Sequence, residues 1–581
     1  MMMKVGRYSP RPQVMPEPHR EAQPVSDPLR NFSTRTTPQT EQADPRQVPN
    51  TGGGYGFEVS LDTRIMRFLT LGTNGGTYYA SEQKLTQGNA RDILGAAKNH
   101  GEHLVDLIKE VSWSGRAPRN KPALFALAIA SAHGNEKTRQ AAFAALPMVA
   151  RTGEHLFQWV TYREQFGGWG RGMRRAIANW YLQADDVERI AYQMCKYRQR
   201  HGWSHRNLAR LSHLPAHMGP EGALFDFLAG REPQASRKQP GRGPFELPPL
   251  IHAFKTAQDI GRAAEQANGM TVEPGRGLKP VREWVALIQQ NPALSWEMLP
   301  DLALKHHEVW EALIANGMPQ TALIRNLSRL TNLGLLDPMG QATKVVCDQL
   351  ADPEKLRKGR VHPITVLLAL TTYAAGRSVD GKATWVPSRP VVDALDAAFY
   401  AAYGAVEPAG VRTSLSVDIS GSMTMSTIAG THLRPREASM AIALVTAATE
   451  PQYTLWGFSD NLIELSISPR QRLDDVVKAA SRLPFGWTDC ALPMTFAMQH
   501  NLVYDHFCVI TDHETNTRSM HPYQALRQYR ERVNPKARLS VVGMTPTRFS
   551  IADPDDRGSL DVAGFDGNCP QMLANFGRGD L

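Results

Sequence analysis

From about Asp62 to Tyr403, apolar residues recur at three- and four-residue spacings, as at Leu124, Leu127 and Ala128 and again at Ala141, Ala142, Ala145 and Leu146. That period puts one apolar stripe on each of a series of helices. The breaks are short and carry helix-ending residues: Gly115, Gly134-Asn135, Gly153 and Gly167-Gly168. Strand-like alternation is nearly absent. Helices of about 10–18 residues joined by tight turns predict pairs stacked as an α-solenoid, although no exact repeat period is visible.

At about Ala405 the pattern changes. Thr413-Ser-Leu-Ser-Val417 alternates as a short strand, followed by a Gly/Ser turn and a helix from about Arg434 to Thr449. Further strands are predicted at Tyr453–Phe458, Phe507–Thr511 and Leu539–Gly543, with helices between them. Strand–helix alternation of this kind predicts a doubly wound, largely parallel sheet with ligand sites at the strand carboxyl ends. The first 54 residues are rich in Pro, Gln, Thr and Arg and poor in large aliphatics, which predicts a disordered tail. The expected organisation is therefore a tail (1–54), a helical-repeat domain (55–404) and an α/β domain (405–581). Basic, flexible interruptions are expected at Arg231–Pro249 and Gly269–Lys279.

The 581 residues are 42% hydrophobic and 21% charged, which suits a globular protein and excludes collagen, mucin or a wholly disordered chain. No apolar run is long enough for a membrane span or a signal peptide, so the expectation is a soluble, cytoplasmic, monomeric protein. Cys195, Cys347, Cys490, Cys508 and Cys569 are scattered without a CxxC pair. They read as buried small hydrophobes or idle thiols in a reducing compartment.

Two groups of residues carry candidate chemistry. Asp418-Ile-Ser420-Gly-Ser422 follows the first strand, Thr488 lies in the loop Gly486-Trp487-Thr488-Asp489, and Asp512 ends a later strand. Three hydroxyls and two carboxylates thereby reach one edge of one sheet as hard oxygen ligands suited to Mg²⁺, with a position left for an external carboxylate or phosphate oxygen. The second group is basic. Between Arg171 and Arg210 there are nine basic side chains against three acidic ones, interleaved with Trp169, Trp180, Tyr181, Tyr192, Tyr197 and Trp203. Such cations neutralise phosphates, and the rings stack on splayed bases. Trp180 and Tyr192 read as core, whereas Arg174, Lys196, Arg200 and His205 read as the better contacts. Gly72–Thr77 lacks the GK[ST] ending of a phosphate loop and reads as a turn.

Asp418-x-Ser-x-Ser, with Thr488 and Asp512 on later loops, resembles the metal-ion-dependent adhesion site of von Willebrand factor A domains. That resemblance makes Asp418, Ser420, Ser422, Thr488 and Asp512 the metal shell. Trp487 stands where a small residue often precedes the Thr, and predicts a crowded site that is weakly occupied or mainly structural. Several stretches resemble the TROVE module: Gly75–Tyr79 with Glu82–Leu85, Lys121–Ala128, Trp169–Arg171 with Ala176–Tyr181, and Lys196–Arg200 with Gly202–His205. Leu208–Leu214, Arg360–Pro363, Ala394–Tyr400 and Ile551–Gly558 continue the match. Together the two parts are similar to the Ro 60 kDa autoantigen family of Y-RNA-binding proteins, over about Gly54 to Leu581.

The resemblance implies a ring of HEAT-like helical repeats closed by the A domain. Its hole would accept single-stranded 3′ ends of misfolded non-coding RNA, and its basic outer surface would bind Y RNA. In bacterial relatives an exoribonuclease resembling polynucleotide phosphorylase is a further partner. The implied RNA contacts are Arg171, Arg174, Arg175, Lys196, Arg198, Arg200, His201, His205, Arg206 and Arg210. No catalytic triad stands out and the oxygen cluster is poor in carboxylates, so the expected role is a non-enzymatic scaffold. The alternatives are a metal-dependent nuclease and a protein-adhesion module.

Overall fold

The helix Lys121–His133 (KPALFALAIASAH) is buried without a break from Pro122 to Ser131 and organises the helices around it. It packs against Arg91–Asn99, Gly101–Ser114, Glu136–Val149 and Gly153–Glu164. Its alanines let these neighbours approach closely. Beyond it, Glu136–Val149 packs on Arg171–Leu182, which packs on His205–Ser212. Pairing continues from Pro249–Asn268 to Lys279–Gln290 and His307–Ala315, and from Gln320–Asn332 to Pro363–Ala374 and Arg389–Ala401. Helix starts are set locally: the Asn135, Thr152 and Ser204 side chains accept the backbone N–H of Thr138, His155 and Asn207.

The computed structural model describes residues 36–58, 61–71, 90–114, 120–182, 187–214, 219–228, 230, 246–268, 279–359, 361–379, 381–424, 427–428, 431–482, 486–544, 549–563 and 569–580. The Gly72–Thr77 turn, the motifs Gly75–Tyr79 and Glu82–Leu85, Arg360 and most of the two basic interruptions lie outside these residues. Among the described residues no helix is long and apolar enough to cross a membrane.

Among the described residues there are eleven strands, in chain order β1 (Gln47–Pro49), β2 (Tyr55–Glu58), β3 (Gln199–Arg200), β4 (Trp203–Ser204), β5 (Thr413–Asp418), β6 (Tyr453–Phe458), β7 (Leu462–Glu464), β8 (His506–Thr511), β9 (Arg538–Gly543), β10 (Phe549–Ser550) and β11 (Ser559–Ala563). The main sheet has the order β11-β9-β8-β5-β6-β7, parallel except for the β6–β7 pair. β5 and β8 are buried along their whole length, as expected of central parallel strands covered on both faces. The helix Pro435–Thr449 packs on β5 and also on Pro363–Ala374 of the helical part. At the other end, Leu61–Leu71 packs against β11. The helical succession therefore leaves the sheet domain and returns to it, forming the closed circuit of an α-solenoid with an α/β domain.

One boundary differs from expectation. The polar tail does not run to residue 54, because the chain from Thr37 onward is ordered against the α/β domain. β1 pairs with β2, and β2 pairs with β10. Gln39 is fully buried: Nε2, with its two N–H donors, lies 2.7 Å from Asp489 Oδ1 and 3.0 Å from both Ser519 Oγ and the Met520 carbonyl. Its Oε1 accepts from the Thr515 hydroxyl and the Thr517 backbone N–H. Asn50 Nδ2 donates to the Thr515 carbonyl at 2.6 Å, and Asn516 Nδ2 donates to the Gly52 carbonyl at 2.9 Å. Arg46 pairs with Asp44, Asp553 and Asp555. At Gly54 a Cβ would stand 2.1 Å from the Thr515 carbonyl oxygen, so only glycine permits this approach. The segment is ordered by hydrogen bonds to remote partners rather than by apolar burial, and composition carries no trace of those partners.

Candidate nucleic-acid interface and metal centre

The helix Arg171–Leu182 buries Met173, Ala176, Ile177, Trp180 and Tyr181, which leaves Arg171 and Arg175 exposed one turn apart on the opposite face. His205–Ser212 repeats the arrangement: His205, Leu208 and Ser212 are buried, while Arg206 and Arg210 are exposed one turn apart. The two helices are packed together, with Arg174 Nη1 3.4 Å from His213 Nε2. Arg171, Arg175 and Arg210 have no acidic partner among the described residues. Two arginine pairs thus lie on adjacent helices at exposed positions.

The strands β3 and β4 form a hairpin that the sequence pattern did not predict. Its two-residue loop, His201-Gly202, has φ of 54° and 79°. Positive φ at both positions suits a tight hairpin turn, and glycine takes the second without strain. The hairpin exposes Arg200 and His201. Arg198 is exposed, lies over the Phe254 ring at 5.3 Å and donates to Gln258. Trp169 and Trp203, both half-buried, meet with centroids 5.5 Å apart, and Trp169 Nε1 donates to Glu164 at 2.8 Å. The sequence singled out both rings without showing that they pair.

Two expected contacts are differently placed. His205 is 1% exposed, enclosed by Phe157, Trp180 and Tyr181, and its Nδ1 lies 2.7 Å from the Tyr181 hydroxyl. Burial drives its pKa down to about 3. It is a neutral core residue and does not reach RNA from this position. The signal was present in the sequence, since 205, 208 and 212 fall on one helical stripe. Lys196 is half-buried and committed: Nζ lies 3.4 Å from Glu297 and 3.1 Å from the Tyr192 hydroxyl. Burial alone would lower its pKa, but the Tyr192 hydrogen bond and the Glu297 charge outweigh it, and the net shift is upward. Trp180 is core as expected; Tyr192 is half-buried against it.

At the carboxyl edge of the main sheet, Asp418 and Asp512 are both fully buried. Asp418 Oδ1 accepts the Ser420 backbone N–H at 2.8 Å, and Oδ2 accepts the Thr511 hydroxyl at 2.7 Å. Ser420 and Ser422 place their hydroxyl oxygens 3.0 Å apart, and Thr488 is buried in the adjoining loop. Burial, reinforced by the Asp512 charge, pushes the Asp418 carboxyl up to about 7. Arg436 supports the loop from below through the Ile419 and Ser420 carbonyls. Two buried carboxylates in mutual repulsion beside clustered hydroxyls are the donor chemistry a hard divalent cation relieves, so the residues fit such an ion.

Trp487 does not fill this cluster, since its residue is 68% exposed. The crowding expected from it is absent. Asp489 is not an additional ligand: its carboxylate accepts from Gln39, Ala491 N and Ser519. Among the described residues no group of three or more His, Cys, Asp or Glu is arranged around a metal position, so any ion here relies on hydroxyls. Cys195, Cys490, Cys508 and Cys569 are buried, and burial pushes the Cys195 and Cys508 thiols up to about 12, which makes them inert.

A helical circuit closed on a parallel α/β domain, with hydroxyl and carboxylate side chains clustered at the strand carboxyl ends, defines a helical-repeat protein carrying a von Willebrand A-type module. The TROVE domain model matches residues 48–230 and 290–374, and the Ro60 vWA domain model matches residues 412–577. The chain belongs to the Ro60 family. It is 37% identical over 558 residues to the RNA-binding protein RO60 of Deinococcus radiodurans, covering 95% of this chain and 99% of that one. It is 34% identical to the RNA-binding protein RO60 of Caenorhabditis elegans, covering 94% and 92%. The crystal structure of the Deinococcus radiodurans RO (RSR) protein superposes with a TM-score of 0.67 at 36% identity, over 90% of this chain and 100% of that chain.

Proposed function

We propose that this chain is a non-enzymatic RNA-binding scaffold of a small non-coding ribonucleoprotein. Its relatives in Deinococcus and Caenorhabditis are named RNA-binding proteins. The observation that carries the reading is the pair of exposed arginine ladders, Arg171/Arg175 and Arg206/Arg210, on two helices packed against each other. Arginine forks on exposed helical faces suit phosphate oxygens rather than a base code. Structured Y RNA, read by shape and 2′-OH contacts, is the proposed ligand of this face. The half-buried Trp169–Trp203 pair beside it offers a platform for an unpaired base.

The closed helical circuit supports the second half of the reading, in which single-stranded 3′ ends of misfolded RNA enter the ring and an exoribonuclease acts with the particle. The protein would do this as a cytoplasmic monomer. At the sheet edge, Asp418, Ser420, Ser422, Thr488 and Asp512 would hold Mg²⁺, which supplies a Lewis-acidic position for an oxygen ligand from a partner. Two carboxylates are too few to bridge a pair of catalytic ions, which favours adhesion over hydrolysis there.

The test is direct. RNA copurifying with the protein, sequenced, should be dominated by small structured non-coding RNA. Purified protein with Mg²⁺ should bind that RNA and leave it intact. RNA cleavage that disappears in Asp418→Ala would replace the scaffold with a nuclease.

A further inference from the structure

The amino edge of the main sheet, opposite the candidate metal centre, holds a cavity of about 580 Å³. Its floor is the chain entering four strands, with Val411 before β5, Asp505 before β8, Ala537 before β9 and Gly558 before β11. Five basic residues line it, Arg530, Lys536, Arg538, Arg557 and Arg578, against two acidic ones, Asp505 and Asp556.

Both acids are already matched. Asp505 takes a bidentate pair from Arg412 at 2.8 Å and a further bond from Asn534, which holds its carboxyl below the usual range. Asp556 pairs with Arg530 at 2.8 Å. Bonds to the surrounding loops account for some of the cations: Arg530 also bonds the Ala537 and Gly558 carbonyls, and Arg578 bonds Pro408 O and Asp580. Arg538 gives one N–H to the Phe576 carbonyl at 3.2 Å, which leaves most of its five donors open. Lys536 and Arg557 are exposed, and their charged ends have no partner among the described residues. Fold maintenance therefore explains Arg530 and Arg578 but not Lys536, Arg557 or the open side of Arg538.

We propose that this cavity is an anion site for phosphate groups, centred on Lys536, Arg538 and Arg557. Guanidinium forks bind phosphate oxygens in pairs, and the concave wall gathers the three charges on one ligand. Among the described residues no aromatic ring lines the cavity, so it recognises phosphate rather than base. The phosphate has two possible sources, the backbone of a bound RNA or a free polyphosphate anion, and the proposal does not depend on the arginine ladders.

The experiment uses the full chain and Lys536→Ala/Arg557→Ala, both exposed positions, with unchanged thermal melting as the folding control. Calorimetry with inorganic pyrophosphate probes the free anion, and filter binding with a single-stranded RNA probes the backbone. The double change should weaken at least one probe about tenfold. Loss confined to pyrophosphate assigns the site to a free anion. Loss of RNA affinity, with a salt slope flatter by about 0.7 for each contact removed, assigns it to RNA. If both probes bind the variant as they bind the wild type, the site does not exist. Arg171→Ala/Arg175→Ala should leave pyrophosphate binding unchanged, which separates this result from failure of the ladder reading.

Discussion

Gln39 and Asp489 are 450 positions apart and share a buried hydrogen bond of 2.7 Å. The bond ties the amino-terminal segment to the loop that delivers Thr488 to the candidate metal centre. Because the amide of Gln39 also serves Ser519, Met520, Thr515 and Thr517, its removal leaves several polar groups without their partner. Gln39→Ala should destabilise the protein by about 1–3 kcal/mol in urea unfolding. An unchanged midpoint would mean that the segment merely rests on the surface.

The exposed arginine ladders and the committed Lys196 should behave differently. Arg171→Ala with Arg175→Ala should weaken RNA binding across sequences and flatten the salt dependence by about 0.7 per lost contact. Lys196→Ala should lose less affinity and more stability, since it strips Glu297 of its partner. Filter binding over a salt series, beside thermal melts, distinguishes the two. Equal slopes for wild type and the double arginine variant would remove the ladders from the interface.

Mg²⁺ should raise the melting temperature by relieving the Asp418–Asp512 repulsion, and EDTA should reverse the gain. At an ion concentration of about 100 Kd the stabilisation is about 2.7 kcal/mol. Asp418→Ala should abolish the shift, while Asp512→Ala should lose Mg²⁺ yet retain RNA binding. An equal Mg²⁺ shift in Asp418→Ala would place the ion elsewhere.

His205 gives the fold an acid sensitivity. Its folded pKa, about 3, lies below the ordinary 6.5, so between these values the unfolded chain binds a proton that the folded one refuses. Stability is therefore full above 6.5 and falls as the pH drops towards 3. Between pH 7 and pH 5 this one group costs about 2 kcal/mol. His205→Phe loses the Tyr181 hydrogen bond at every pH but should show a smaller drop between pH 7 and pH 5. An identical drop would clear His205 as its source.

The helical succession was legible along the chain, because a period of three to four residues is local and survives any tertiary arrangement. Local pattern also determined the strands around Thr413, Tyr453, Phe507 and Leu539 to within a residue or two, since short alternating or apolar runs bounded by turn residues are a local signal. The same pattern placed Asp418, Ser420, Ser422 and Asp512 at one edge, which follows from strand polarity; Thr488 comes from a loop between two helices and was matched to them only by the resemblance. Tertiary structure decided which cations stay free. Lys196 and Arg171 look alike in sequence, and only the arrival of Glu297 from a hundred residues away separates them. Tertiary structure likewise decided that a polar, proline-rich stretch from Thr37 to Gly54 is ordered, because its remote hydrogen-bond partners lie 450 or more residues downstream. Apolar burial is written in local periodicity, whereas the pairing of polar groups depends on neighbours that only the folded chain supplies.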